Sequence, residues 1–248
     1  MSKITLAPLP KWGVIFKSIF AKALKDKDLA KPWLLRESDI PYWFSRSAVS
    51  MHIIAKWWVA YTDKNKPTIW IPDYFCNEPL QLLRDANYRI HFYPITEQFH
   101  PDWKVCRVQA TNQTPDIFIL VHYFGSPSDG KQARQFCNDH KCILVEDASH
   151  VLIPNQNIGT HGEFVFYSPH KLIAIPDGAV LIQRPKTKVL RKLSDKNPVD
   201  VMNKILKAMP QVSPSPWFWL FKRMLQKFLP DYFWLKIQKE DHAVNIPH

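Results

Sequence analysis

Residues 116–122, DIFILVH, constrain the fold more than any other stretch, because apolar side chains follow one another there with no polar alternation. A strand with one wet face alternates apolar and polar residues. An unbroken run belongs to a strand covered on both faces, as in a parallel sheet between helical layers. Residues 68–71, 89–93, 142–145 and 164–167 have strand length as well, and 48–61, 78–86 and 128–140 read as helices. This alternation predicts an α/β fold, a mostly parallel sheet with helices on both faces. Residues 179–183 return after a short loop and are predicted to form one antiparallel strand.

The remaining stretches are less regular. Residues 12–24 read as a short amphipathic helix, 25–43 as connecting sequence broken by Pro32 and Pro41, and 94–115 as polar and turn-rich. From 186 onward the pattern is helical and basic, with VMNKILKAM at 201–209 and WFWLFKRMLQKFL at 217–229, past an SPSP hinge. The expected division is an N-terminal helix and connector at 1–43, an α/β domain at 44–185 and a basic helical segment at 186–248.

Composition narrows the classes. With 248 residues, 46% hydrophobic and 13% aromatic, the chain can bury a sizeable core. Its net charge of +11 is uneven: residues 184–248 hold 13 Lys and Arg against 5 Asp and Glu. Such a tail favours anionic partners, and charge alone does not choose among them. We expect no nucleic-acid partner, and peripheral membrane contact through the basic aromatic helix is the less favoured use of that segment. Four cysteines without a CxxC pair, no secretory h-region and no run of 18 apolar residues point to a cytoplasmic protein with no metal site.

The chemistry-bearing residues cluster between 142 and 171. One apolar run is followed by Glu146, Asp147 and His150, the next by Ser168, His170 and Lys171. In an open α/β sheet, ligands bind outside the carboxyl ends of parallel strands, so acid and lysine would face one crevice. A carboxylate can keep a pyridine nitrogen protonated while a lysine amine holds an aldehyde. The bland alternatives are a helix N-cap for Asp147 and a solvated charge for Lys171. Upstream, Ser45 or Ser47 stands where the 48–61 helix needs a cap, and a helix N-terminus also binds phosphate.

Several motifs in order carry a resemblance to a known family: Ser45-Arg46-Ser47-Ala48, Pro72-Asp73-Tyr74-Phe75-Cys76, Val121-His122-Tyr123-Phe124-Gly125, Glu146-Asp147-Ala148-Ser149-His150, and Lys171 after a strand. Over roughly 40–183 the chain resembles the DegT/StrS-type pyridoxal-phosphate enzymes, mostly nucleotide-sugar aminotransferases. The resemblance implies the large domain of aminotransferase fold type I and pyridoxal 5'-phosphate as cofactor. It implies an amino-acid donor and a keto-sugar nucleotide as small-molecule substrates, in cell-surface polysaccharide or related sugar biosynthesis, and a homodimer. It places Lys171 as the residue that holds the cofactor and moves the proton, with Asp147 on the pyridine nitrogen and His150 on the ring or its phenolic oxygen. Ser45, Arg46 and Ser47 would meet the phosphate.

The chain also departs from the pattern. Ser45 stands where glycine is usual, Phe166 where a phosphate-binding serine is common, and Cys76 where an aromatic commonly stacks on the ring. Ser168 is the substitute expected at the phosphate, and no stacking residue is assigned. A glycine-rich stretch of the family is replaced by Pro176-Asp177-Gly178-Ala179. The family's smaller C-terminal domain is expected to have no counterpart in these residues, as a fragment or as a short form, and the latter leaves a second reading: a truncated, non-catalytic relative that binds a partner or membrane surface through its basic helix. Relatives that dehydrate sugars instead replace the cofactor lysine, often by His, and Lys171 argues against that chemistry.

Overall fold

The computed structural model describes residues 11–19, 25–155, 157–173, 175 and 178–209. In chain order the elements are α1 (Trp12–Ile19), α2 (Asp26–Leu29), β1 (Ile40–Phe44), α3 (Ser47–Thr62), β2 (Thr68–Pro72), α4 (Gln81–Asp85), β3 (Arg89–Tyr93) and α5 (Trp103–Asn112). They continue with β4 (Ile117–Val121), α6 (Gly130–His140), β5 (Ile143–Ala148), β6 (Phe164–Tyr167), β7 (Ala179–Gln183), α7 (Lys188–Leu193) and α8 (Pro198–Lys207). The basic aromatic stretch at 217–229, residues 20–24 of the amphipathic stretch, and Pro176 and Asp177 lie outside the described residues.

Seven strands form one sheet in the order β1-β7-β6-β5-β4-β2-β3. The pairings from β3 through β6 are parallel, and β7 runs antiparallel to both β6 and β1. The predicted α/β sheet with one antiparallel strand is therefore present. All five residues of β4 are buried, as the apolar run at 116–122 requires.

Strand alternation divides the core. Ile69, Ile71, Ile119, Val121, Val145, Phe164, Phe166 and Leu181 pack on one face with Ile53, Ile54, Trp57, Trp58 and Tyr61 of α3. Met202 of α8 and Leu190 of α7 close that layer from outside. On the other face Trp70, Phe118, Leu120 and Leu144 meet Cys106 and Ala110 of α5 and Phe136 and Cys137 of α6. Lying between sheet and α8, α3 is apolar nearly all round rather than amphipathic.

Three stretches differ from expectation. Pro41 does not break the chain but lies inside β1, an edge strand paired on one side only, where a missing N–H costs nothing. Residues 94–115 contain α5, whose start is fixed by Asp102 accepting from the N–H groups of Lys104 and Val105. The expected helix at 78–86 divides into a 3-10 turn, Glu78–Leu80, followed by α4.

Trp57 joins three elements. It stacks on Tyr61 at 4.5 Å, meets Phe164 edge-on at 4.9 Å and donates its indole N–H to Pro198 O at 2.8 Å. Trp57→Ala is expected to destabilise the fold by about 3–5 kcal/mol, the range for emptying a buried aromatic site. Urea unfolding with an unchanged m-value checks this.

Candidate functional site

β5 carries two adjacent carboxylates to opposite faces of the sheet. Asp147, next to its last residue, lies on the α3 face, in register with Val121 of β4 and Phe166 of β6. It is 7% exposed, and its Oδ1 accepts the Ser149 N–H at 2.9 Å. No helix follows, so the N-cap alternative does not describe Asp147.

Glu146 faces the other way and is fully buried. Its Oε1 accepts the N–H groups of His161 and Gly162 at 2.7 Å each, while Oε2 accepts the Gly159 N–H at 2.9 Å and His122 Nε2–H at 3.0 Å. His122 Nδ1 in turn accepts the Ser128 N–H at 3.0 Å. A ring nitrogen that accepts carries no proton, so His122 is a neutral imidazole donating through Nε2. Burial pushes the Glu146 carboxyl up, but the His122 contact and the backbone N–H groups outweigh it and bring the pKa down to about 2.

Backbone shape completes this clamp. Gly159 has φ +72°, and a Cβ there would collide with the Tyr167 hydroxyl. Arg184, 1% exposed, donates to Gly159 O and to Gly162 O at 3.1 Å, and its Nε lies 3.5 Å from Asp39 Oδ1. One of the tail's positive charges is thus a core group.

The other expected site residues converge on the Asp147 edge. Lys171 is exposed at the end of a 3-10 turn, Pro169–Lys171, directly after β6. Its charge and that of Asp147 both act on His150, the first lowering and the second raising its pKa. Ser168 is fully buried, and its hydroxyl donates to Ser149 Oγ at 3.2 Å. Phe166 is buried beside Asp147.

The N-terminus of α3 reaches the same edge, because β1 places Phe44 opposite Ala179 at the start of β7. Gly178 N–H donates to Ser45 O at 2.9 Å, and His170 Nδ1 lies 2.8 Å from Gly178 O, tying the helix start to the loop after Lys171. Neither serine caps α3: the N-cap position is Arg46, with extended backbone and no side-chain cap, and Ser47 is the first helical residue. Arg46 pairs with Glu78 at 3.1 Å, an exposed contact worth at most about 1 kcal/mol.

An aromatic group completes the edge. Tyr74, Phe99, Tyr123 and Phe124 lie within 5.3–6.2 Å of one another in successive contacts, and Phe124 lies nearly parallel to His150. Tyr123 donates its hydroxyl to Tyr74 O at 2.5 Å and feels the Asp147 charge. Burial first, then that charge, holds the phenol well above its ordinary range. Tyr123 stood in the 121–125 motif without a role of its own, although its place directly after the β4 run was the available signal. A cavity of about 530 Å³ lined by Lys27, Ile40, Lys186 and Pro198 opens at the opposite edge of the sheet, away from Asp147 and Lys171.

Residues 86–193 match the family model described as the DegT/DnrJ/EryC1/StrS aminotransferase family. Among solved structures, the chain is similar to the Helicobacter pylori PseC, an aminotransferase involved in the biosynthesis of pseudoaminic acid. The TM-score is 0.60 at 13% identity, covering 86% of this chain and 58% of that one. It is similar to the E. coli GDP-4-keto-6-deoxy-D-mannose-3-dehydratase with bound hydrated PLP, with a TM-score of 0.56 at 16% identity, over 79% of this chain and 59% of that one. A third likeness is to DesI in the presence of its TDP-sugar product, with a TM-score of 0.54 at 16% identity, over 77% of this chain and 46% of that one. These likenesses establish aminotransferase fold type I, and the chain spans less than three fifths of the length of each of the three. No curated protein matches the chain.

Because Glu146 has a lower pKa folded than its ordinary 4.5, its contribution is fully present above about pH 4.5 and is lost as pH falls toward about 2. Glu146→Gln should cost at least about 2 kcal/mol at neutral pH, since an amide NH₂ would face N–H donors. It should also flatten the dependence of stability on pH between 2 and 4.5, read by thermal unfolding across that window.

Proposed function

We propose, from the premise that residues 86–193 are a segment of the DegT/DnrJ/EryC1/StrS aminotransferase family, that the chain is a pyridoxal-phosphate-dependent aminotransferase-like protein. Its substrates would be an amino-acid donor and a keto-sugar nucleotide. The observation that carries this reading is geometric. Of the adjacent parallel strands β5 and β6, the first carries Asp147 next to its last residue and the second is followed by the turn that carries Lys171, at the edge where α3 begins.

The donor set fits the cofactor. A carboxylate shielded from water can hold a ring nitrogen protonated, an exposed amine at the next strand exit can hold an aldehyde, and a helix N-terminus can take a phosphate. When bound, pyridoxal phosphate supplies an electron-withdrawing ring that stabilises negative charge on the substrate carbon. Asp147 would keep that ring protonated; Lys171 would hold the cofactor and then move the proton at the substrate carbon. Ser45, Arg46 and Ser47 would meet the phosphate, His150 the phenolic oxygen. Ser168 would reach the phosphate only by giving up its bond to Ser149.

The same edge supports a homodimer as part of this reading. Tyr74, Phe124, Ile153, Leu172 and Ile173 are exposed on successive strand exits around Asp147, an apolar rim that a second copy would cover. A cytoplasmic setting is supported by four free cysteines, three of them buried. Among the described residues, no helix is long and apolar enough to cross a membrane, and no cluster of His, Cys, Asp or Glu could hold a metal ion.

Purified protein with added pyridoxal phosphate should absorb at about 410–430 nm by the cofactor's general chemistry. Lys171→Ala should abolish the band, and its survival there would remove the assignment. Asp147→Asn should retain the cofactor yet lose about 2–4 kcal/mol of transition-state stabilisation, as for a single catalytic polar group. Single-turnover rates with an amino-acid donor measure it, and an unchanged rate would reduce Asp147 to a turn residue.

A further inference from the structure

β4 leaves the sheet through a turn of unusual backbone. Phe124 adopts φ 54° and ψ 22°, and Gly125 follows at φ 81°. Left-handed conformation is costly for an aromatic residue and persists where the surroundings fix it. Here Gly125 N–H donates to His122 O at 3.4 Å, Ser126 N–H to Tyr123 O at 2.9 Å, and His122 N–H to Asp147 O at 3.0 Å. The turn therefore rests on the His122 and Glu146 pair and on the β5 register.

What this conformation achieves is an aimed N–H. Phe124 donates its backbone N–H to His150 Nδ1 at 3.3 Å, and the two rings lie 11° from parallel with centroids 6.1 Å apart. An imidazole nitrogen that accepts has no proton of its own, so the neutral ring carries its proton on Nε2.

We propose that Phe124 is a positioning residue whose left-handed backbone fixes His150 as the Nε2–H tautomer, so that the imidazole offers the Asp147 and Lys171 edge a hydrogen-bond donor and no acceptor. The charged groups that act on His150 are Lys171, on the turn after β6, and Asp147, on β5. Partial burial and then Lys171 lower its pKa, with Asp147 opposing them, so the ring stays neutral at and above neutral pH. A fixed donor suits an oxygen anion in the crevice. That use rests on the cofactor reading, whereas the tautomer does not.

The test uses the full chain without cofactor, labelled with ¹⁵N-histidine, and reads tautomer and pKa from long-range proton–nitrogen correlations. His150 should show a bare Nδ1 and a protonated Nε2 in the unaltered protein. Gly125→Ala strains the turn, because its φ disfavours a side chain and the new Cβ would lie 3.1 Å from His150 O. This variant should mix the tautomers and raise the His150 pKa by about one unit as the N–H contact is lost. Phe124→Gly removes the ring but keeps both the N–H and the backbone conformation, so it should leave the tautomer in place. A protonated Nδ1 in the unaltered protein would overturn the proposal. So would a folded Gly125→Ala protein with unchanged tautomer and pKa. Should Gly125→Ala fail to fold, the unaltered protein and Phe124→Gly still decide it, and loss of the tautomer in the latter would assign the effect to the ring. Since no cofactor is present, the result is independent of the pyridoxal-phosphate reading.

Discussion

Burying Glu146 fully inside the sheet is the constraint on which the rest of this structure depends. A lone carboxylate there would cost several kcal/mol or become protonated. Three backbone N–H groups and one imidazole N–H satisfy it instead. Those partners come from the exit of β4 and from the loop before β6, so a single anion holds together the segments on either side of β5. A network of this kind stabilises when every member is satisfied and is costly when one is lost.

From that anchor the site follows by alternation. With Glu146 committed to one face, Asp147 must emerge on the other, where α3 packs, and the turn after β6 brings Lys171 to the same end of the sheet. β7 and β1 bring the start of α3 to the same edge, and Gly178 ties that start to the loop after Lys171. Carboxylate, amine and helix N-terminus are thus brought together by register rather than by direct contact. His150 feels the two charges at once, and Phe124 orients it.

Much of this was legible in the residues, for identifiable physical reasons. β3, β6 and β7 have the bounds expected of them, because each is a short run with apolar and aromatic strand formers closed by turn residues, alternating with polar residues in β3. β5 was expected to stop at residue 145 but runs to Ala148, since carboxylates end a strand only when they lack buried partners, and Glu146 has four. β1 was hidden by Pro41, which is tolerated only because the strand lies at the sheet edge. α5 was hidden by its weak amphipathicity, although Asp102 after Pro101 signalled its start. The order Asp147, His150, Lys171 could be read directly. The left-handed turn at Phe124 could not, since nothing local distinguishes an aromatic residue that tertiary contacts force into that conformation.

In the proposed function, Lys171 is the residue to which pyridoxal phosphate would attach. Borohydride reduction of the protein incubated with pyridoxal phosphate, followed by peptide mass mapping, tests it most directly, because reduction makes the attachment permanent. One modified peptide is expected, the one containing Lys171, formed at a single equivalent of cofactor. Label spread over several surface lysines, or fixed on a lysine distant from Asp147, would contradict it.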